Sequence, residues 1–139
     1  MAKKKLKLRK TIYKSTFTGL DRVVLCLTEE EFIKYCNKYN CNDAYIIKAG
    51  ICIRLKKEGC RGFCIIGIKD AYSLSYLDLI GFLTHEHTHA VDFIMEEDGY
   101  TDMEIRGYMT QDMLVKAMMF INKQLEIEIK ENKKWLRTI

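Results

Sequence analysis

Apolar positions in the first half of the chain fall in short runs, and in the second half they recur every three or four residues. That change of period predicts strands first and helices afterwards. Leu6, Leu8, Ile12 and Phe17 are scattered through a polar stretch that reads as a strand. Arg22–Leu27 (RVVLCL) has the β-branched content and length of a strand. Thr28-Glu29-Glu30-Glu31 then fits a capping box, with Thr28 as N-cap and Glu31 reaching back. The acidic first turn suits the helix dipole. Phe32, Ile33, Tyr35 and Cys36 supply one apolar face of a short helix ending near Asn40. Ala44–Ile47 and Ile51–Leu55 flank Ala49-Gly50, and Phe63–Ile68 follows the turn at Gly59–Gly62. These read as further short strands in an antiparallel arrangement.

From Ser73 or Ser75 to about Glu97 the chain reads as a helix, with Leu77, Ile80, Leu83, Ala90, Val91 and Ile94 on its apolar positions. Gly99 is placed to stop it. Thr101 or Asp102 can cap a second helix running to about Lys130 or beyond. Ile105, Tyr108, Met109, Leu114, Met118, Ile121 and Leu125 are expected to face inward from it. Segregated strands and helices indicate an α+β fold.

The chain has 139 residues, which is one domain's length, and 48% of them are hydrophobic, too many for a disordered chain. Proline is absent, so glycine is the main punctuation. The net charge of +4 is concentrated at one end. Lys3, Lys4, Lys5, Lys7, Arg9 and Lys10 put +6 in the first ten residues, leaving −2 for the remainder. Residues 1–10 are therefore read as a basic tail or edge strand, and 11–139 as a single domain. The tail offers weak contact with nucleic acid or another acidic surface. No apolar stretch of about 7–15 residues follows the lysines as in a secretory signal, and no window reaches the ~18 apolar residues of a membrane span. An intracellular location is the expectation. The six cysteines, at 26, 36, 41, 52, 60 and 64, include no Cys-x-x-Cys pair. The looser spacings Cys36/Cys41 and Cys60/Cys64 are weak signals for a zinc knuckle.

All three histidines lie in His85-Glu86-His87-Thr88-His89, which contains H-E-x-x-H. On a helix, His85 and His89 project from one face about 6 Å apart along the axis, placed to share one zinc ion. Glu86 lies about 100° further round, beside the metal rather than on it, where a carboxylate can take a proton from water. His87 is about 200° from His85 and belongs to a different environment, at the surface or in a local hydrogen bond. A catalytic zinc needs a third protein ligand. Met95 stands where metzincins place another histidine. Glu96 and Glu97 are about 10–12 Å too far along the helix. Glu104, Asp112 and Asp102, past the Gly99 turn, are the open candidates.

Thr84-His-Glu-His-Thr-His-Ala-Val91 resembles the active-site helix of gluzincin metallopeptidases, the thermolysin-like group, whose pattern is H-E-x-T-H-A-V. Asp102-Met-Glu-Ile-Arg-Gly-Tyr-Met-Thr-Gln111 resembles the glutamate helix of small gluzincin-like proteins encoded by bacteriophages. The likeness covers about residues 77–112. It implies a minimal zincin-like fold, Glu104 as third zinc ligand, and a polypeptide substrate held along a sheet edge, with Ile65–Ile68 as candidate edge. It also implies Glu86 as general base and acid in peptide-bond hydrolysis. Where thermolysin-like enzymes carry two aspartates, Phe93 and Tyr108 stand here. Asp92 offers a carboxylate to hydrogen-bond and orient a ligand histidine. Tyr108, one turn after Glu104, is positioned to donate its hydroxyl to a developing oxyanion. The alternative is a zinc-stabilised, non-catalytic phage virion or assembly protein that keeps the fold and meets phage structural proteins. A third reading makes the basic tail a nucleic-acid contact.

Overall fold

A four-stranded sheet and three α-helices make up the described residues, 12–14, 21–39, 41, 50–55 and 62–136, of this computed structural model. The strands are β1 (Ile12–Lys14), β2 (Asp21–Cys26), β3 (Gly50–Leu55) and β4 (Phe63–Ile68). The helices are α1 (Glu29–Lys38), α2 (Tyr76–Asp98) and α3 (Met103–Leu136). The fold is α+β, as the hydrophobic periods predict. The basic segment 1–10, Leu6, Leu8, Phe17, Ala44–Ile47, Cys60 and the side chain of Leu125 fall outside the described residues.

Strand order is β1-β2-β4-β3. β1 pairs antiparallel with β2, and β3 antiparallel with β4, but β2 and β4 run parallel. The antiparallel pairing expected of Ile51–Leu55 and Phe63–Ile68 is the one between β3 and β4, and the parallel pairing of β2 with β4 is an addition that the sequence pattern does not predict. β4, Phe-Cys-Ile-Ile-Gly-Ile, is apolar on both faces and is covered on both, the environment parallel strands require. For the same reason Ile65–Ile68 is not an edge. β3 is the outermost described strand on that side.

Side-chain alternation along the strands builds two cores. Val23, Leu25, Leu27, Cys64, Ile66 and Ile68 face α2 and, behind it, α3. Val24, Cys26 and Ile65 face Phe32, Tyr35 and Cys36 of α1 on the opposite side. Half of the α1 capping box forms as read: Thr28 Oγ1 accepts from the Glu31 N–H at 3.1 Å, while the Glu31 carboxyl meets the backbone at Leu27 rather than at Thr28. The Glu31 carboxyl is buried, with a backbone hydrogen bond at Leu27 and no partner for Oε1 among the described residues. Burial pushes its pKa up to about 7. An acid whose folded pKa is raised contributes stability that is complete below its unfolded value and is lost as pH rises through about 7. Glu31→Gln is therefore expected to raise the melting temperature at pH 8 and to change it little at pH 4.5. Thermal melts at the two pH values check this; an equal effect at both would contradict it.

Ser75 caps α2 by accepting from the Asp78 N–H at 3.2 Å. Gly99 ends it in the left-handed region, φ 74°, while the Tyr100 N–H donates to the Met95 carbonyl at 2.9 Å. The buried stripe runs through Leu79, Leu83, His87, Ala90, Val91, Ile94 and Met95. Leu77 and Ile80, expected inside, are exposed, because Leu77 sits about 200° round from Leu79. On α3 the buried seam is Met109, Met113, Ala117 and Ile121, at strict i+4 spacing. Tyr108, expected inward, is 59% exposed beside that seam. Arg22, on β2, is buried and reaches across to the end of α2. Its Nη1 donates to both Asp98 carboxylate oxygens at 2.9 Å and its Nε to the Gly62 carbonyl at 2.8 Å. Among the described residues no helix is long and apolar enough to cross a membrane.

Candidate active site

The buried stripe of α2 decides how its histidines and glutamate are presented. His87 falls within the stripe, so Glu86 comes to the margin and His85 and His89 to the solvent side. The two exposed imidazoles converge, with 3.3 Å between their Nε2 atoms and their rings near perpendicular, 4.9 Å between centroids. Two nitrogens each ~2.0–2.1 Å from a zinc ion at the tetrahedral angle stand about 3.3 Å apart. The pair therefore already has the spacing of one edge of a zinc site. Thr84 and Thr88, on the same exposed side, donate back to the Ile80 and Thr84 carbonyls at 2.8 Å each and do not compete for the imidazoles.

The Glu86 carboxylate lies 3.9 Å from His85 Nε2 and is buried. Burial raises its pKa, and the charge of His85 and His89 acts in the opposite direction. It is pressed against β3 at Gly50, where an added Cβ would come within 3.3 Å of Glu86 Cγ. A glycine at this strand position allows that close approach. Glu86 is the meeting point of two pockets. One, about 430 Å³, is lined by Leu77, Asp78, Gly81, Phe82 and His85; the other, about 270 Å³, by Ile51, Cys52, Arg54 and His89. Gly50 and Glu86 line both.

His87 is fully buried, which removes the surface option for it. Its Nδ1 lies 2.7 Å from the Leu83 carbonyl, so Nδ1–H is the donor, and burial lowers its pKa to about 4. The ring is a neutral core group, separate from the site.

The third-ligand candidates part company here. Asp102 caps α3, accepting from the Glu104 and Ile105 N–H groups at 2.7 and 3.3 Å. Asp112 holds Lys116 at 3.0 Å. Asp92 pairs with Arg106, not with His85 or His89. Glu104 alone keeps a carboxylate with no hydrogen bond or ion pair among the described residues, and it is exposed. The structure does not gather it with the histidines: among the described residues no three His, Cys, Asp or Glu side chains converge as a metal-holding group. Arg106 faces α2 through Asp92, and Glu104 is two residues earlier, about 200° away on α3. Tyr108 shares that outer face one turn on, and lines neither pocket. Cys36 and Cys41 are free thiols.

Arg54 and Gly50 were not singled out by the sequence pattern. Alternation along β3 is the signal that groups Gly50, Cys52 and Arg54 on one face. No family model, no curated protein and no solved structure matches this chain.

Proposed function

We propose that this protein is a zinc-dependent peptide hydrolase with a minimal zincin-like fold. The observation that carries the reading is the 3.3 Å convergence of His85 and His89 beside the Glu86 carboxylate, at the junction of two pockets. His85 and His89 would hold the metal. Glu104 is the third ligand that the resemblance implies; its carboxylate is uncommitted among the described residues, but the structure does not gather it with the two histidines. A zinc ion held there supplies Lewis acidity, acidifying water and polarising a carbonyl.

The chain's own groups do the rest. Glu86 is the base that takes a proton from the attacking water as its oxygen bonds to the peptide carbon. It then returns that proton to the departing nitrogen as the C–N bond breaks. Its burial suits the base role, because a carboxylate whose pKa is raised by desolvation is a better proton acceptor. β3, the outermost described strand, presents backbone groups to an extended peptide beside α2. The experiment that tests the reading compares peptide hydrolysis by the zinc-loaded protein and by its Glu86→Gln variant.

A metal-stabilised, non-catalytic protein is the second reading. It is favoured by the placement of Tyr108, the candidate oxyanion donor, outside both pockets. It expects zinc to raise the melting temperature while no peptide is cleaved.

A further inference from the structure

The smaller pocket beside Glu86 carries one cation. Gly50, Cys52 and Arg54 share the face of β3 turned to α2: Gly50 meets Glu86, Cys52 packs against the α2-facing core, and Arg54 reaches the pocket wall with His89. Arg54 is exposed and makes no hydrogen bond or ion pair among the described residues. Glu86 and His89 also line this pocket, and Arg54 is paired with neither among the described residues. A pocket of about 270 Å³ accepts an acidic side chain or a chain end. A guanidinium offers a carboxylate two parallel N–H donors, a geometry that a neutral amide meets poorly.

We propose that Arg54 is a specificity-determining residue that binds a carboxylate of the peptide substrate in the pocket adjoining Glu86. This rests on the peptide-hydrolase reading and adds the substrate class: a peptide bearing an acidic side chain, or its own C-terminal carboxylate, next to the bond cleaved. The competing role for Arg54 is a solvated charge that blunts an outer strand against pairing with other chains. That role confers no preference among peptides.

The test uses matched peptides, Asp against Asn at each position flanking the cleaved bond, and free C-terminal acid against amide. Zinc-loaded wild type and Arg54→Gln are compared by KM and kcat. Binding of the same peptides is titrated on Glu86→Gln and on the Arg54→Gln/Glu86→Gln double variant, which need no turnover. One acidic member of a pair is expected to be preferred by roughly tenfold, in KM and in affinity with kcat little changed. Arg54→Gln removes the preference and leaves the neutral peptide within about twofold. Which pair shows it distinguishes a side chain from a chain terminus. No acidic preference, or one that survives Arg54→Gln, overturns the proposal. If wild type cleaves no peptide, the hydrolase reading fails, and the binding titrations still decide whether Arg54 selects a carboxylate.

Discussion

Glu86→Gln is expected to keep zinc bound while peptide turnover falls by roughly 10²–10⁴-fold. The change is nearly isosteric, so the side chain still fits against Gly50 and under His85. It removes only the capacity to accept a proton. His85 and His89, 3.3 Å apart at Nε2, are untouched. Zinc content and kcat of the two purified proteins make the comparison. Turnover retained at the wild-type level would remove Glu86 from its role. Loss of zinc together with activity would show Glu86 holding metal rather than moving a proton.

Asp98→Ala is expected to cost about 3–5 kcal/mol of folding stability. The side chains of Arg22 and Asp98 are 1% and 2% exposed, so the carboxylate's removal strands a buried guanidinium. Among the described residues Arg22 Nη2 already has no partner, and Nε keeps only the Gly62 carbonyl. The melting temperature should fall by roughly 10 °C or more in a chain of this size. Arg22→Met added to Asp98→Ala should recover much of that loss, because no charge then remains buried. A fall of under about 3 °C for Asp98→Ala would mean that the guanidinium finds water or another anion. Failure of the double variant to recover would place the loss in packing.

Local chemistry was legible in the sequence where it depends on neighbours along the chain. The Thr28 cap, the Gly99 stop and the i, i+4 histidines are set within one or two helical turns, and each stands where the residue pattern puts it. The parallel pairing of β2 with β4 joins segments about forty residues apart, and short apolar runs carry no strand direction. The all-apolar β4 did hold a clue to its central position, since an edge strand more often shows alternation. On α3, Tyr108 and Met109 are both apolar enough to face inward. The i+4 seam through Met113, Ala117 and Ile121 selects Met109, and only packing against α2 reveals that seam. Arg22 sits at the start of an apolar run and reads as a strand-end charge. Its buried partner lies 76 residues away. The histidine pair and Glu86 were readable because one helix carries all three. Arg54 was not, because its place in the site depends on β3 lying beside α2.

Zinc titration of metal-free protein tests the central claim most directly, with His85→Ala and His89→Ala beside wild type. Wild type is predicted to bind one equivalent tightly, with a rise in melting temperature, and each variant to lose both the tight binding and the rise. Wild type that takes up no zinc, or variants that bind it as tightly as wild type, would contradict the account.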